Sequence, residues 1–391
     1  MKTYDIAIIG GGIMGASAAI ESARLGASVA LIDQSSLPSP RSASFDHSKV
    51  FRFSYPDPLY ARMAVDALKL WNRLEEDTGK KVITPTGILL LGCNQPSFET
   101  ETFETLRSLG LEAEMLTKEE VAYRFPQFDT QAFEYGVFDP SGAIAHAESA
   151  LRASIELARR LGANAIEGAQ VTGLKHSDGR VESVITNRGT SIECGRVIVA
   201  SGPWTRKLLP SLQNSLRTTR QEIIYFEPST GSSNTALPNC DFHIGRFPIF
   251  IALDTGFYGF PVHNRGAIKI ANHNKGEPID PDSYSDEVSE DVIRQCRDFF
   301  REFIPALANS TVLETRVCIY NNTPDDDFII DRHPQFSNVV IATGFSGHGF
   351  KFGPLIGRIA ARMSADSNFA YDTDRFNISR FNKNSLGEQT L

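Results

Sequence analysis

The chain opens on an apolar run, Ile6-Ala7-Ile8-Ile9, whose unbroken hydrophobicity suits a strand buried on both faces. Ile13, Ala16, Ala19, Ile20 and Ala23 then recur at helical spacing, and Gly26 is placed to end that helix. A second apolar strand, Ser28 to Ile32, stops at Asp33. Helical patterns return over 58–76 (Ala61, Ala64, Leu68, Trp71), as two short helices within 98–128, and over 147–161, 205–212, 285–303 and 354–363. Thr117 and Glu120 have the spacing of a capping box. Strands of a second sheet are expected over 82–91, and a small meander over 168–190 with turns at Asp178-Gly179 and Arg188-Gly189. Buried strands end at Gly202 and at Gly344. Between them, aromatic strands crowd 216–275.

The turn joining the first strand to the first helix is Gly10-Gly11-Gly12-Ile13-Met14-Gly15. Gly10 permits a tight turn, Gly12 lets the backbone approach a pyrophosphate, and Gly15 lets helix and strand pack closely. The helix N-terminus offers unpaired N–H groups and partial positive charge to phosphates. Asp33 ends the second strand, where a carboxylate accepts hydrogen bonds from ribose hydroxyls. Strand, turn, helix, strand and terminal acid in register point to a dinucleotide site. An acid at that position disfavours a 2′-phosphate, which selects FAD or NAD over NADP.

Strands that stop at small residues, as at Gly202 and Gly344, let backbone approach a cofactor. The first and last thirds of the chain therefore both supply strands to the cofactor sheet, while the middle supplies another sheet. The expected class is α/β, a Rossmann-like FAD-binding domain with an inserted antiparallel-sheet substrate domain. The cofactor domain is assigned to 1–84, 145–215 and 320–391, and the substrate domain to 85–144 and 216–319.

Composition adds exclusions. A charge of −8 without a basic block argues against nucleic acid as a partner. No apolar run approaches the roughly 20 residues of a membrane helix, and no leader precedes the first strand, so a cytoplasmic protein is expected. Cys93, Cys194, Cys240, Cys296 and Cys318 are dispersed without CxxC spacing, as reduced thiols would be, and no metal site is expected. Phe45 to Arg52 is unusual: Asp46, His47, Lys49 and Arg52 interleave with Val50 and Phe51, so part of this charged loop should be buried.

Arg316-Val317-Cys318-Ile319-Tyr320, Phe328-Ile329-Ile330-Asp331 and Gly344 through Phe352 (GFSGHGFKF) carry a resemblance over essentially the whole chain. The sequence resembles the monomeric sarcosine oxidase family, flavoproteins of the D-amino-acid-oxidase fold group, whose relatives include N-methyltryptophan, pipecolate and fructosyl-amino-acid oxidases. The resemblance implies a monomer that oxidises the C–N bond of a secondary amino acid, takes molecular oxygen as its second substrate and releases hydrogen peroxide. It implies FAD held covalently through Cys318. It places the substrate carboxylate on Arg52 and Lys351, oxygen activation at Lys269, and Tyr258, His273 and Tyr320 around the substrate. Flavin contacts are implied at Gly10, Gly12, Ile13, Met14, Gly15, Asp33, Ser48, Val171, Gly202 and Trp204, and at Gly344, Gly347, His348, Gly349 and Lys351. The helix after Lys351 would point its positive end at the flavin pyrimidine.

The chain also departs from this pattern. Lys49 stands where sarcosine oxidase has arginine and some pipecolate and fructosyl-amino-acid members have lysine, and Phe45 stands where it has histidine. Asp46 and His47 differ as well. These differences bear on substrate choice and leave Lys49 and His47 as candidates for tuning the flavin or the substrate amine. Two further classes stay open: a dehydrogenase that makes no peroxide, and a flavoprotein that oxidises a tethered or cyclic intermediate of a biosynthetic route.

Overall fold

The computed structural model describes residues 3–228, 241–263, 265–367 and 371–381. Cys240, one of the dispersed thiols, lies outside the described residues; Cys93, Cys194, Cys296 and Cys318 are free. No helix among the described residues is long and apolar enough to cross a membrane.

Five strands form the parallel centre of one eight-stranded sheet: Asn164–Ile166, Val29–Ile32, Thr3–Ile9, Ser191–Val199 and Val339–Thr343. The antiparallel strands Val171–Ser177 and Arg180–Thr186 extend it through the expected meander, and Ile329–Arg332 closes the other edge. Helix Ile13–Arg24 packs against the closing helix Gly353–Ser364, where Gly357 leaves room for Ser17 and Ala18. The strands ending at Ile9, Val199 and Thr343 run parallel, so their C-terminal ends open on one edge, the usual place for a ligand in such sheets.

The second eight-stranded sheet runs Thr311–Asn322, Arg217–Glu227, Ile268–Asn272, Phe257–Gly259, Ile249–Ala252, Ile88–Gly92, Tyr135–Asp139, Glu114–Leu116. It is antiparallel except where Ile249–Ala252 pairs parallel to Ile88–Gly92. One face buries Ile224, Phe226, Ile268 and Ile270 against Cys296, Phe299, Phe300 and Phe303 of helix Glu290–Phe303. The other face looks toward the parallel sheet.

Four local expectations need correction. The helix expected over 205–212 breaks after Leu208, because Leu209 precedes Pro210 and leaves the helical region; a separate 3-10 turn follows. The helix expected from Ser285 starts at Glu290, where the Ser289 hydroxyl accepts from the Val292 N–H and sets the cap. The run over 82–91 is split by Gly87, at φ 68°, and its first part, Ile83–Pro85, joins a small sheet with Ala143–Ala145 and Lys49–Phe51. That pairing turns the charged loop into an edge strand. Between the two short helices, Phe98–Ser108 and Lys118–Arg124, the chain also forms the strand Glu114–Leu116. The Thr117–Glu120 capping box is present as expected.

Candidate active site

Alternation along the second sheet decides which side chains meet. Tyr225 lies opposite Lys269, Tyr258 opposite Ala271, Gln221 opposite Cys318 and Thr219 opposite Tyr320. Residues two apart share a face, so Tyr258, Lys269, Tyr225, Arg316, Cys318 and Tyr320 all point toward the parallel sheet. Four adjacent strands thus deliver the chemistry to one wall.

Between that wall and the parallel strand ends lies a long cavity lined by Gly10, Gly12, Ile13, Met14, Asp33, Val171, Gly202, Trp204, Gly347 and Gly349. Gly10 has φ 103°, and a Cβ there would strike the Ala200 carbonyl; one on Gly15 would strike the Gly10 carbonyl. Those two positions are therefore closed to any residue with a side chain. The Ile13 N–H, at the start of the helix, donates to Ser44 Oγ at 3.0 Å. Asp33 accepts from the backbone N–H of Gly11 at 2.7 Å and of Ser35 at 2.9 Å, while burial pushes its pKa up. Each carboxylate oxygen keeps a lone pair for a ribose hydroxyl. Cavity, helix N-terminus and half-buried acid fit an adenine dinucleotide. Cys318 sits beside this cavity: its Sγ lies 3.5 Å from Lys49 Nζ and 3.9 Å from the Ala43 carbonyl, and both Lys49 and Ala43 line the cavity.

A second, smaller cavity of about 80 Å³ adjoins the first through Lys49, Tyr320, Gly347 and Phe350, which line both. Arg52, Lys351, His273, Tyr258, His348 and Lys269 face it, with Ile251, Leu253 and Phe260 as apolar wall. The Arg52 guanidinium stacks 4.1 Å over the Tyr55 ring and 5.4 Å from Phe98, and its Nη1 is buried without a hydrogen-bond partner. Lys351 Nζ donates to Tyr55 Oη and to the His348 carbonyl, each at 2.8 Å. Trp71 Nε1 donates to the Lys351 carbonyl at 2.7 Å, pinning its backbone. Neither cation has an ion-pair partner among the described residues. Burial pushes the pKa of both down, and Arg52 lowers Lys351 further. Burial, with Arg52 and Lys351 adding, also brings His273 to about 4, so it is neutral near pH 7. Two unpaired buried cations facing one cavity form a site for an anion.

At the other end of the cavity, Lys269 is 1% exposed. Its Nζ donates to Asp46 Oδ2 at 2.7 Å and to the Ser48 carbonyl at 2.6 Å, and lies 4.8 Å from the Phe260 ring centroid. Asp46 also accepts from Tyr225 Oη at 2.6 Å and lies 3.4 Å from Lys49 Nζ. Burial pulls Lys269 to about 8 against the opposing pull of Asp46. Burial also pushes Asp46 up, but Lys269 and Lys49 outweigh it and its carboxyl stays ionised. Burial acts downward on Lys49, where Cys318 and Asp46 more than offset it.

Four expected cofactor contacts, Ser48, Gly344, His348 and Lys351, do not line the long cavity. The Ser48 hydroxyl turns away from the long cavity onto His263 Nε2 at 2.8 Å, because the neighbouring carbonyl is taken by Lys269. Gly344, at φ 68°, packs toward Thr323, Leu216 and Ile329 and lines neither cavity. His348 and Lys351 belong to the smaller cavity. His47 pairs with Glu314 at 3.0 Å, at the rim of the wall. Sequence reasoning missed Tyr55 and the structural role of Asp46. The available signal for Asp46 was an acid placed three residues before Lys49 and directly after Phe45.

Fold and cavities together define a dinucleotide-dependent oxidoreductase with a small pocket, lined by Arg52 and Lys351, beside the long cavity. A family model described as "DAO: FAD dependent oxidoreductase" matches residues 5–363. Peroxisomal sarcosine oxidase of Homo sapiens is 33% identical over 398 residues, covering 99% of this chain and 98% of that protein. Monomeric sarcosine oxidase of Bacillus sp. (strain B-0618) is 30% identical over 397 residues, covering 99% of each. The solved structure of L-proline dehydrogenase from P. horikoshii matches with a TM-score of 0.84 at 23% identity, over 98% of this chain and 99% of that one, a likeness of fold alone. The chain belongs to the DAO family of FAD-dependent oxidoreductases and, within it, to the family of the sarcosine oxidases.

Proposed function

We propose that this flavoenzyme oxidises the C–N bond of a small secondary amino acid, N-methyl or cyclic, to an imine, with oxygen as acceptor and hydrogen peroxide as product. It would act as a monomer with FAD bonded to Cys318. The observation that carries the reading is the buried, unpaired couple Arg52 and Lys351 in a cavity adjoining the cofactor cavity. A carboxylate leaving water needs cationic partners, and the Arg52 fork, held between Tyr55 and Phe98, offers two parallel N–H donors. Lys351, aimed by Tyr55 and His348, supplies a further donor, and a bound carboxylate would favour its charged form.

Tyr258, Tyr320 and neutral His273 surround the space left for the amine. The Tyr258 hydroxyl bonds Tyr320, and burial holds both phenols protonated, Tyr320 at about 12. These side chains position the substrate and place no charge against its nitrogen. The amine must shed its proton before oxidation, so turnover of a saturating substrate should rise as pH climbs. Bound FAD supplies the two-electron chemistry, accepting from the C–N bond and delivering to oxygen. Lys269, on the same wall as Tyr258 and Tyr320, holds positive charge where charge develops on oxygen.

A screen for peroxide release over sarcosine, other N-methyl amino acids, proline, pipecolate and fructosyl amino acids tests the reading. Peroxide is expected from at least one secondary amino acid and from none of the matching primary ones. Lys49, shared with some pipecolate and fructosyl-amino-acid members, makes those two substrates the informative comparison with sarcosine. Dye reduction without peroxide would replace the oxidase with a dehydrogenase. For the covalent link, Cys318→Ala should leave all flavin in the supernatant after acid precipitation, whereas wild-type protein keeps it in the pellet. Yellow pellets from the variant would refute attachment at Cys318.

A further inference from the structure

We propose that Asp46 is a positioning residue for Lys269, one whose buried carboxylate aims the lysine at the flavin and keeps it charged. Oxygen reactivity would then depend on a side chain that touches neither flavin nor substrate. The proposal rests on reading Lys269 as the cation that faces oxygen.

The geometry is specific on both carboxylate oxygens. Oδ2 accepts from Lys269 Nζ at 2.7 Å, and Oδ1 accepts from Tyr225 Oη at 2.6 Å and from the His47 backbone N–H at 2.8 Å. Tyr225 and Lys269 are cross-strand neighbours, so sheet register itself brings hydroxyl and ammonium to the same acid. An ammonium has three N–H donors. Asp46 and the Ser48 carbonyl take two from Lys269, and the third is left for the cavity the lysine lines. Loss of Asp46 would free the head group to turn as well as remove its counter-charge.

The charge balance around Lys269 makes the counter-charge matter. Lys49 faces it from the edge strand, and Arg316 approaches Asp46 to 3.7 Å from the strand Thr311–Asn322. Cys318 and Tyr320 come from that same strand, and Tyr258 from Phe257–Gly259, which pairs with the strand of Lys269. His263 lies beyond Ser48 and is held neutral by burial, near 4. Glu314, the other acid on this wall, is engaged at the rim by His47 and Arg265. Three cations therefore share Asp46, and removing it sets Lys269 against Lys49 in a water-poor site.

The test compares Asp46→Asn, Asp46→Glu and Lys269→Met as purified flavoproteins, in stopped-flow measurements of anaerobic reduction and of reoxidation across pH. For Asp46→Asn, reoxidation should slow at least about tenfold near pH 8. Its alkaline limb should move to lower pH by about one unit or more. Reduction by substrate should change by less than about threefold, and Asp46→Glu should recover most of the loss. A readout independent of turnover is the 13Cε NMR titration of the lysines in the oxidised flavoprotein, with the Lys269 signal assigned by its absence in Lys269→Met. That signal should titrate at lower pH in Asp46→Asn. If Asp46→Asn proves unstable, Asp46→Ser removes the same charge with a smaller side chain and should give a shift in the same direction. An unmoved lysine titration in whichever variant folds overturns the proposal. Slow reoxidation in Lys269→Met with a wild-type rate and pH profile in Asp46→Asn overturns the proposal alone. A wild-type rate in Lys269→Met overturns both the oxygen role of the lysine and the proposal built on it.

Discussion

Replacing Lys269 by Met should slow reoxidation by about 100-fold or more while altering anaerobic reduction by less than about threefold. The lysine is 1% exposed and packed by Phe260 and Tyr225, so its charge acts in a site where water screens little. Methionine fills a similar volume without charge, which isolates the electrostatic part of the effect. The substrate carboxylate would be held on Arg52 and Lys351, away from Lys269, so the reductive half-reaction should be nearly indifferent to the change. Stability is the competing concern, since removing one partner of a buried ion pair costs about 3–5 kcal/mol when the other is left alone. Here Asp46 keeps Tyr225, Lys49 and Arg316 around it, so the variant should fold. Equal slowing of both half-reactions would remove the role assigned to the lysine.

The pH dependence of the two half-reactions should run in opposite senses. Substrate oxidation gains as the amine deprotonates with rising pH. Lys269 is charged below its pKa of about 8 and neutral above it, so reoxidation should fall as pH passes through that value. In Lys269→Met this alkaline loss should vanish, because no charge remains to be titrated.

These residues also show which parts of the site are written locally along the chain. Gly10, Gly15 and Asp33 act through backbone turns and neighbouring strands within a short stretch, so their spacing alone marks the phosphate end of the cavity. Lys269 is different. Ile268 and Ile270 suggest an alternating strand with an outward lysine, yet a helix covers one face of that sheet and the cofactor domain covers the other. Only knowledge of both layers buries the lysine. Asp46 is less legible still, since its partners Tyr225, Lys269 and Arg316 come from three strands at least 170 residues away in sequence. Tyr55 escaped notice because its hydroxyl serves Lys351, nearly 300 positions on. Local turn chemistry failed once through proline, at Leu209-Pro210, and once through Gly87, which diverted Ile83–Pro85 into a different sheet. Charge pairing across layers carries no local signature; the family resemblance marked Lys269, Arg52 and Lys351 but not Asp46 or Tyr55, which hold two of them.

Arg52→Ala should weaken binding of simple carboxylates such as acetate by about 100-fold or more, followed through the perturbation of the flavin spectrum. The argument is one of buried charge. Arg52 Nη1 has no hydrogen-bond partner among the described residues, so an anion in the cavity gains a donor whose desolvation has already been met in folding. Tyr55 and Phe98 hold the guanidinium plane, which spares the entropy of ordering a long side chain at the moment of binding. Lys351 alone cannot compensate: two of its three N–H donors are committed to Tyr55 and the His348 carbonyl, and its pKa is pulled well below the usual range. Removing Arg52 takes away the like charge that adds to burial in that depression, so Lys351 should become easier to protonate in the variant. Residual carboxylate binding in Arg52→Ala should therefore persist to higher pH than the loss of Arg52 alone would suggest. Arg52→Lys should recover only part of the affinity, since a point charge lacks the fork and the stacking face. Unchanged carboxylate binding in Arg52→Ala would mean that the anion sits elsewhere, and the assignment of the smaller cavity to the substrate would fail with it.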